Sequence, residues 1–260
     1  MKNAPKGFKL QFSAAVKPSI YMIVLSCLYS VLYMLSARAN FSSSVSLAAQ
    51  TLLFGAYGLG LYFVCTMMWG KKHGVLSLGK TCLVLAWNLF WICMVNLISY
   101  AYTLVVNAGL SQWILLIVQL LAGLLIIFLV PATLLFYKAL YEDAESSKEI
   151  LGSIWVSLKK SPSAILNAWL ILFIVLMVWD TLFSGPLSIY YGFNATLLMA
   201  NLLYIGNPMF YWIMMLFVSG AQGAFVYMIL LYILWGLLCT WLEMNLIAWI
   251  GSKWQPSKTE

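Results

Sequence analysis

Charge is what this sequence has least of. Charged residues make up 8% of it, with seven acids in the whole chain and one histidine, His73. A soluble domain carries about 25% charged residues. With 64% of the residues hydrophobic, a water-soluble fold would expose large apolar patches and aggregate. The scarcity of charge therefore excludes an ordinary soluble domain and predicts a membrane protein that crosses the bilayer several times. The 260 residues suit one transmembrane domain over 1–260.

Chemistry is scarce as well. The five cysteines, Cys27, Cys65, Cys82, Cys93 and Cys239, all fall in apolar runs and form no C-x-x-C pair. They read as small buried hydrophobes, and no zinc spacing is present. No Walker A loop, H-E-x-x-H or G-x-S-x-G occurs. No catalytic, metal or cofactor-binding residue is predicted, and an enzyme is not expected. The version hardest to set aside is a lipid-modifying membrane enzyme. The net charge of +7 does not point to nucleic acid, because no basic stripe with interleaved aromatics accompanies it.

What the chain does have is long apolar runs bounded by lysines. A span needs about 20 apolar residues to cross about 30 Å of hydrocarbon. That ruler gives six spans, at about 19–37, 47–69, 81–106, 112–137, 163–183 and 221–243. The N-terminal run starts late and lacks a small-residue exit, so it reads as the first span and not a signal peptide. Lys2, Lys6, Lys9 and Lys17 precede the first span, while Lys71, Lys72 and Lys80 separate the second from the third. Lys138, Lys148, Lys159 and Lys160 lie between the fourth and fifth, and Lys253 and Lys258 follow the sixth. Six spans put every lysine on one side and leave Arg38 alone on the other. The positive-inside rule then places both termini in the cytoplasm. The fold class expected is all-α: a polytopic bundle of three helical hairpins in the plasma membrane.

Two segments on the lysine side predict amphipathic surface helices. In "SSKEILGSIWVSLKKSP", Ser146 and Glu149 have capping-box spacing, and Ile150, Leu151, Ile154, Trp155 and Leu158 share a face. Pro162 marks the turn into the fifth span. In "GFKLQFSAAVKP", Phe8, Phe12, Ala15 and Val16 share a face. Ile154, Trp155, Leu158, Phe8 and Phe12 are the candidate docking residues for a membrane-protein partner. Plain anchoring in the bilayer surface is the simpler role. On the opposite side, the segment at about 184–220 is too apolar for an ordinary loop. Its two short arms flank a Gly-Asn-Pro turn, which predicts a re-entrant or interfacial hairpin.

Two acids fall inside the apolar runs, Asp180 and Glu243. From Gln222 to Glu243 a helix rises roughly 31 Å, one hydrocarbon thickness. Glu243 is thus expected at the inner interface, with "MNLIAWIGSKW" lying along the surface, and Asp180 near the outer one. At opposite ends they cannot form an aspartic dyad. The alternative for Glu243 is the bundle interior, paired with Lys80 or Lys160, as a proton or cation site. The other polar candidates are Asn88 and Asn96, eight apart on one face of the third span, with Gln50, Gln119 and Asn167 in the second, fourth and fifth. Bonds between helices are the plain role for them. Lining a path between the third, fourth and sixth spans is the sharper one. Thr51, Gly55 and Gly58 predict close helix approach, and Pro131 a kink or break in the fourth span.

The function expected is a non-catalytic accessory or regulatory subunit of a membrane complex, partnered by lipid and by another membrane protein or a second copy. A small transporter or channel is the alternative. The stretch "VPATLLFYKALYEDAESSKEILGSIWVSLKKSPSAILNAWLILFIVLMVWD" resembles the YesL-like family of small bacterial integral membrane proteins. Pro131, Ala132 and Thr133 match its Pro-Ala-Thr element, and Trp155, Lys159 and Lys160 its following cytoplasmic helix in kind. The resemblance covers about a fifth of the chain. It implies a Gram-positive plasma-membrane protein linked with carbohydrate uptake, and it carries over no catalytic residue.

Overall fold

The computed structural model describes residues 12–39, 42–70, 77–109, 111–142, 146–167, 170 and 225–256. Within the helices some side chains, among them those of Phe12, Asn96 and Gln119, lie outside the described set. The chain is all-α. Among the described residues its long helices are α1 (Phe12–Arg38), α2 (Ser43–Trp69), α3 (Leu78–Asn107), α4 (Gln112–Tyr141), α5 (Ser147–Lys160) and α6 (Phe225–Gly251). Among the described residues, two stretches are long and apolar enough to cross a membrane, Ser13–Tyr33 in α1 and Ser44–Trp69 in α2.

The ends of the helices follow local chemistry. Gly70 closes α2 in the left-handed region, at φ 81°, which glycine enters without steric cost. Ser77 caps α3, its hydroxyl accepting from the Lys80 amide. The Ser146 hydroxyl accepts from the Glu149 amide at 3.2 Å, as the capping-box spacing predicts. Residues 162–167 are helical again after Ser161, so Pro162 does open a new helix.

Several sequence boundaries are corrected. No separate surface helix precedes α1 among the described residues. The chain from Phe12 runs straight into α1 with Pro18 inside it, and Ala15 is fully buried while Val16 is exposed. α4 is one helix through Pro131, so the expected break is absent. α6 does not stop at Glu243 but continues to Gly251. Met244, Leu246, Ile247 and Ile250 are buried, so this segment belongs to the core and not to a surface strip. The 184–220 segment lies outside the described residues.

α1 packs on α2 and α6, and α2 also on α3, α4 and α6; α4 is further covered by α3, α5 and α6. α1 buries three serines among its core residues and exposes a mostly apolar face. Its buried face carries Ala15, Ser19, Met22, Ser26, Tyr29 and Ser30, and its exposed face Ile20, Val24, Leu28, Val31 and Leu35. The buried serines cost little, because Ser19 and Ser30 donate to the carbonyls of Ala15 and Ser26 four residues back, each at 2.6 Å. Small side chains on that face let α2 come close, and a Cβ on Gly60 of α2 would overlap Leu25 of α1. Helices surrounded by lipid associate through this kind of close contact, since hydrocarbon gives them no hydrophobic drive to pair. Cys82 and Cys93 are exposed while Cys65 is buried, so only some of the cysteines are the buried hydrophobes expected.

The lysine-bearing end of the bundle is wrapped more tightly. From Pro131 to Tyr141 every residue of α4 except Lys138 is buried. Trp69 at the end of α2 lies edge-on to Tyr141, ring centroids 5.3 Å apart, and its indole donates to the Ile247 carbonyl at 3.5 Å. Gly251 sits against that indole, with no room for a Cβ. Lys80 at the start of α3 donates to the Leu140 carbonyl at 3.2 Å, where the last carbonyls of α4 lack helical partners and a cation favours the dipole. Lys138 pairs with Glu142 at 2.7 Å and lies over the rings of Tyr141 and Trp69, at 4.4 and 5.1 Å. The start of α3 and the ends of α2, α4 and α6 thus meet at one end, bringing Lys80, Lys138 and Lys253 together.

Candidate functional site

Two of the candidate polar residues are fully inside the bundle. Glu243 is 2% exposed and Asn88 0%. For Glu243 this fits the bundle interior, the alternative the sequence left open. The ruler took the acid as the end of its helix, but α6 continues two turns further and α1, α2 and α4 cover it.

Tyr57 of α2 and Tyr29 of α1 are buried in the same bundle. The rings of Tyr29 and Tyr57 are 5.0 Å apart. Thr240, one helical turn before Glu243, is fully buried. Of the two lysines expected to pair with Glu243, Lys80 donates to Leu140 and Lys160 is exposed on α5. An acid in a bundle of this kind is a functional-site hypothesis by default, because its charge is costly away from water.

Asn88 is held on the other side of Tyr137. The Tyr137 hydroxyl reaches the Asn88 Oδ1 at 2.9 Å and the Gly58 carbonyl at 3.1 Å. One phenolic proton serves these two acceptors. The Asn88 amide fills the space a side chain at Gly58 would need, so the glycine predicted for close approach is the seat of the asparagine. Its Nδ2 is buried with no hydrogen-bond partner among the described residues, a cost of about 1–3 kcal/mol that packing must offset. Beside it, the Trp87 indole donates to the Thr133 hydroxyl at 2.9 Å, and its ring stacks on Phe136 at 4.4 Å.

Tyr137 joins Asn88 of α3 to Gly58 of α2, and Glu243 and Tyr57 are buried in α6 and α2. Sequence reading missed Tyr57 and Tyr137. Their one signal is that a tyrosine in an apolar run needs a partner for its hydroxyl when buried.

The remaining candidates scatter. Asn167 is exposed, so it does not face the bundle interior. The side chains of Asn96 and Gln119, and all of Asp180 and Phe8, lie outside the described residues, as does the side chain of Phe12. Of the docking residues on α5, Ile154 is 6% exposed and is core, not surface. Leu158 is partly buried against that core. Trp155 is 60% exposed and is the member of the set left open to a partner.

Glu243 could carry a proton or take part in holding a monovalent cation, with tyrosine and threonine oxygens on the same helices. Asn88, Tyr137 and Thr133 close the packing between α2, α3 and α4. No protein-family profile, curated protein or solved structure matches the chain.

Proposed function

We propose that this chain is a six-span bacterial plasma-membrane protein, with both termini and the lysine-bearing end in the cytoplasm. We propose further that it serves as a non-catalytic accessory or regulatory subunit of a membrane complex. The membrane reading is supported by the exposed apolar face of α1 opposite its buried serines, an arrangement that suits lipid outside and small residues inside. The subunit reading is carried by one observation. The Asn88, Tyr137, Gly58, Trp87 and Thr133 groups bond to each other across helices, which favours a packed scaffold acting through its surface. The link to carbohydrate uptake rests on the YesL-like resemblance of residues 130–180 alone.

Purification from native membranes in mild detergent, with mass spectrometry of what co-purifies, tests this. The subunit reading expects a stoichiometric membrane-protein partner. A chain that purifies alone, as monomer or homo-oligomer, contradicts it.

The second reading is a small transporter or channel, and Glu243 favours it. A carboxyl at 2% exposure within a bundle is the kind of group that supports ion coupling. Proton or monovalent-cation flux in liposomes would then fall at least tenfold in Glu243→Gln. Equal flux with and without the protein would remove this reading.

A further inference from the structure

α5 has two faces, and the sequence period merged them. The buried one consists of Ile150, Ser153, Ile154 and Ser157. It is held against the bundle by α4, and by the tail beyond α6, where the Gln255 amide donates to the Ser157 hydroxyl at 2.9 Å. Opposite it runs an exposed strip with helical spacing: Lys148, Leu151, Trp155 and Lys159. These positions are three, four and four residues apart, so they stack along about 16 Å of one helix side. Leu151 is 56% and Trp155 60% exposed. The Lys159 ammonium lies 4.8 Å from the Trp155 ring centroid. Lys160 is exposed next to it.

We propose that this strip is a binding face for anionic lipid headgroups of the inner leaflet. The inference rests on the topology given above, which puts α5 at the cytoplasmic boundary. Short connections fix it there: α4 ends at Tyr141 just before it, and the chain is helical again from 162. The charge pattern fits phosphate, with ammonium groups at both ends of the strip and no acid within it. The apolar centre fits the acyl boundary, where tryptophan rings and long lysine stems settle. Its size speaks against a protein. Two partly exposed side chains offer roughly 200–300 Å² of surface, whereas a stable protein interface takes about 800 Å² from each partner.

The test uses the full chain in nanodiscs of phosphatidylcholine alone or mixed with phosphatidylglycerol. A fluorophore on Leu151→Cys, in a background with the five native cysteines replaced, reports immersion through quenching by brominated acyl chains. Native mass spectrometry reports which lipid stays bound. The proposal expects quenching in the anionic discs and retention of phosphatidylglycerol. It expects the preference for that lipid to fall about fivefold for each of Lys148, Lys159 and Lys160 changed to glutamine, and to weaken with salt. Equal binding of the two lipids, or lysine variants that bind as the parent does, would overturn it. So would a label that is shielded only when a second protein co-purifies. Both leaflets of a nanodisc are accessible and alike, so an error in topology cannot produce a negative result here. Labelling in cells reports that error separately.

Discussion

α1 and α5 are built from the same kinds of residue and turned in opposite senses. α5 hides two isoleucines and two serines, and shows lysine, leucine and tryptophan to the outside. α1 hides serines and shows a row of isoleucine, valine and leucine. A helix that keeps charge on its outer face suits a boundary with water or headgroups. A helix whose outer face is mostly aliphatic, with serines among the residues it buries, suits hydrocarbon. On the proposed topology the two helices face different solvents. α1 closes on the bundle through Met22 and Tyr29 together with its small serines, while the lysine-bearing end is wrapped by bulky side chains from Pro131 to Tyr141.

The largest effect that could break this contrast comes from a charge on each exposed face. Leu28 and Leu151 are 57% and 56% exposed. Leu28→Arg should cost about 2.5–3.5 kcal/mol of insertion at the centre of a span, seen as a large loss of membrane-integrated protein. Leu151→Arg should leave integration unchanged. Equal tolerance at the two sites would place both helices in the same surroundings and undo the assignment.

A smaller effect sharpens the packing side of the contrast. Gly58→Ala forces a methyl group into the Asn88 amide and should cost about 1–3 kcal/mol through overpacking. The measurement is thermal unfolding in detergent. Adding Asn88→Ala should recover part of the loss, because the methyl then has room. A Gly58→Ala protein as stable as the parent would show that α2 and α3 do not approach as described.

How much of this was legible beforehand depended on whether a feature is local. The start of α5 was legible from the Ser146–Glu149 spacing, which acts within a few residues, whereas Gly70 at the end of α2 and Ser77 at the start of α3 were not read although they act as locally. Gly58 was legible as a contact point, though its occupant, Asn88, was not. The end of α6 was set too early, at Glu243, because the residues after it are as apolar as those before it, so nothing in the chain marks the difference between a helix leaving the core and one continuing inside. Ile154 was misassigned for a related reason. The apolar period put Ile150, Leu151, Ile154, Trp155 and Leu158 together, but the bundle took the side of that stripe flanked by Ser153 and Ser157, where small groups permit contact with Gln255. The Tyr137–Asn88 and Tyr137–Gly58 bonds join different helices far apart in the chain, and no spacing rule reaches that far.

The central claim is that this bundle crosses the membrane with all its lysines on the cytoplasmic side. Its most direct test is labelling of single cysteines with a membrane-impermeant maleimide in intact and permeabilised cells. The sites are Ser43, Ser147 and Ser257, in a chain with the native cysteines replaced. The account predicts labelling of Ser43→Cys in intact cells, and of Ser147→Cys and Ser257→Cys only after permeabilisation. Labelling of Ser257→Cys in intact cells would mean an odd number of spans and contradict it.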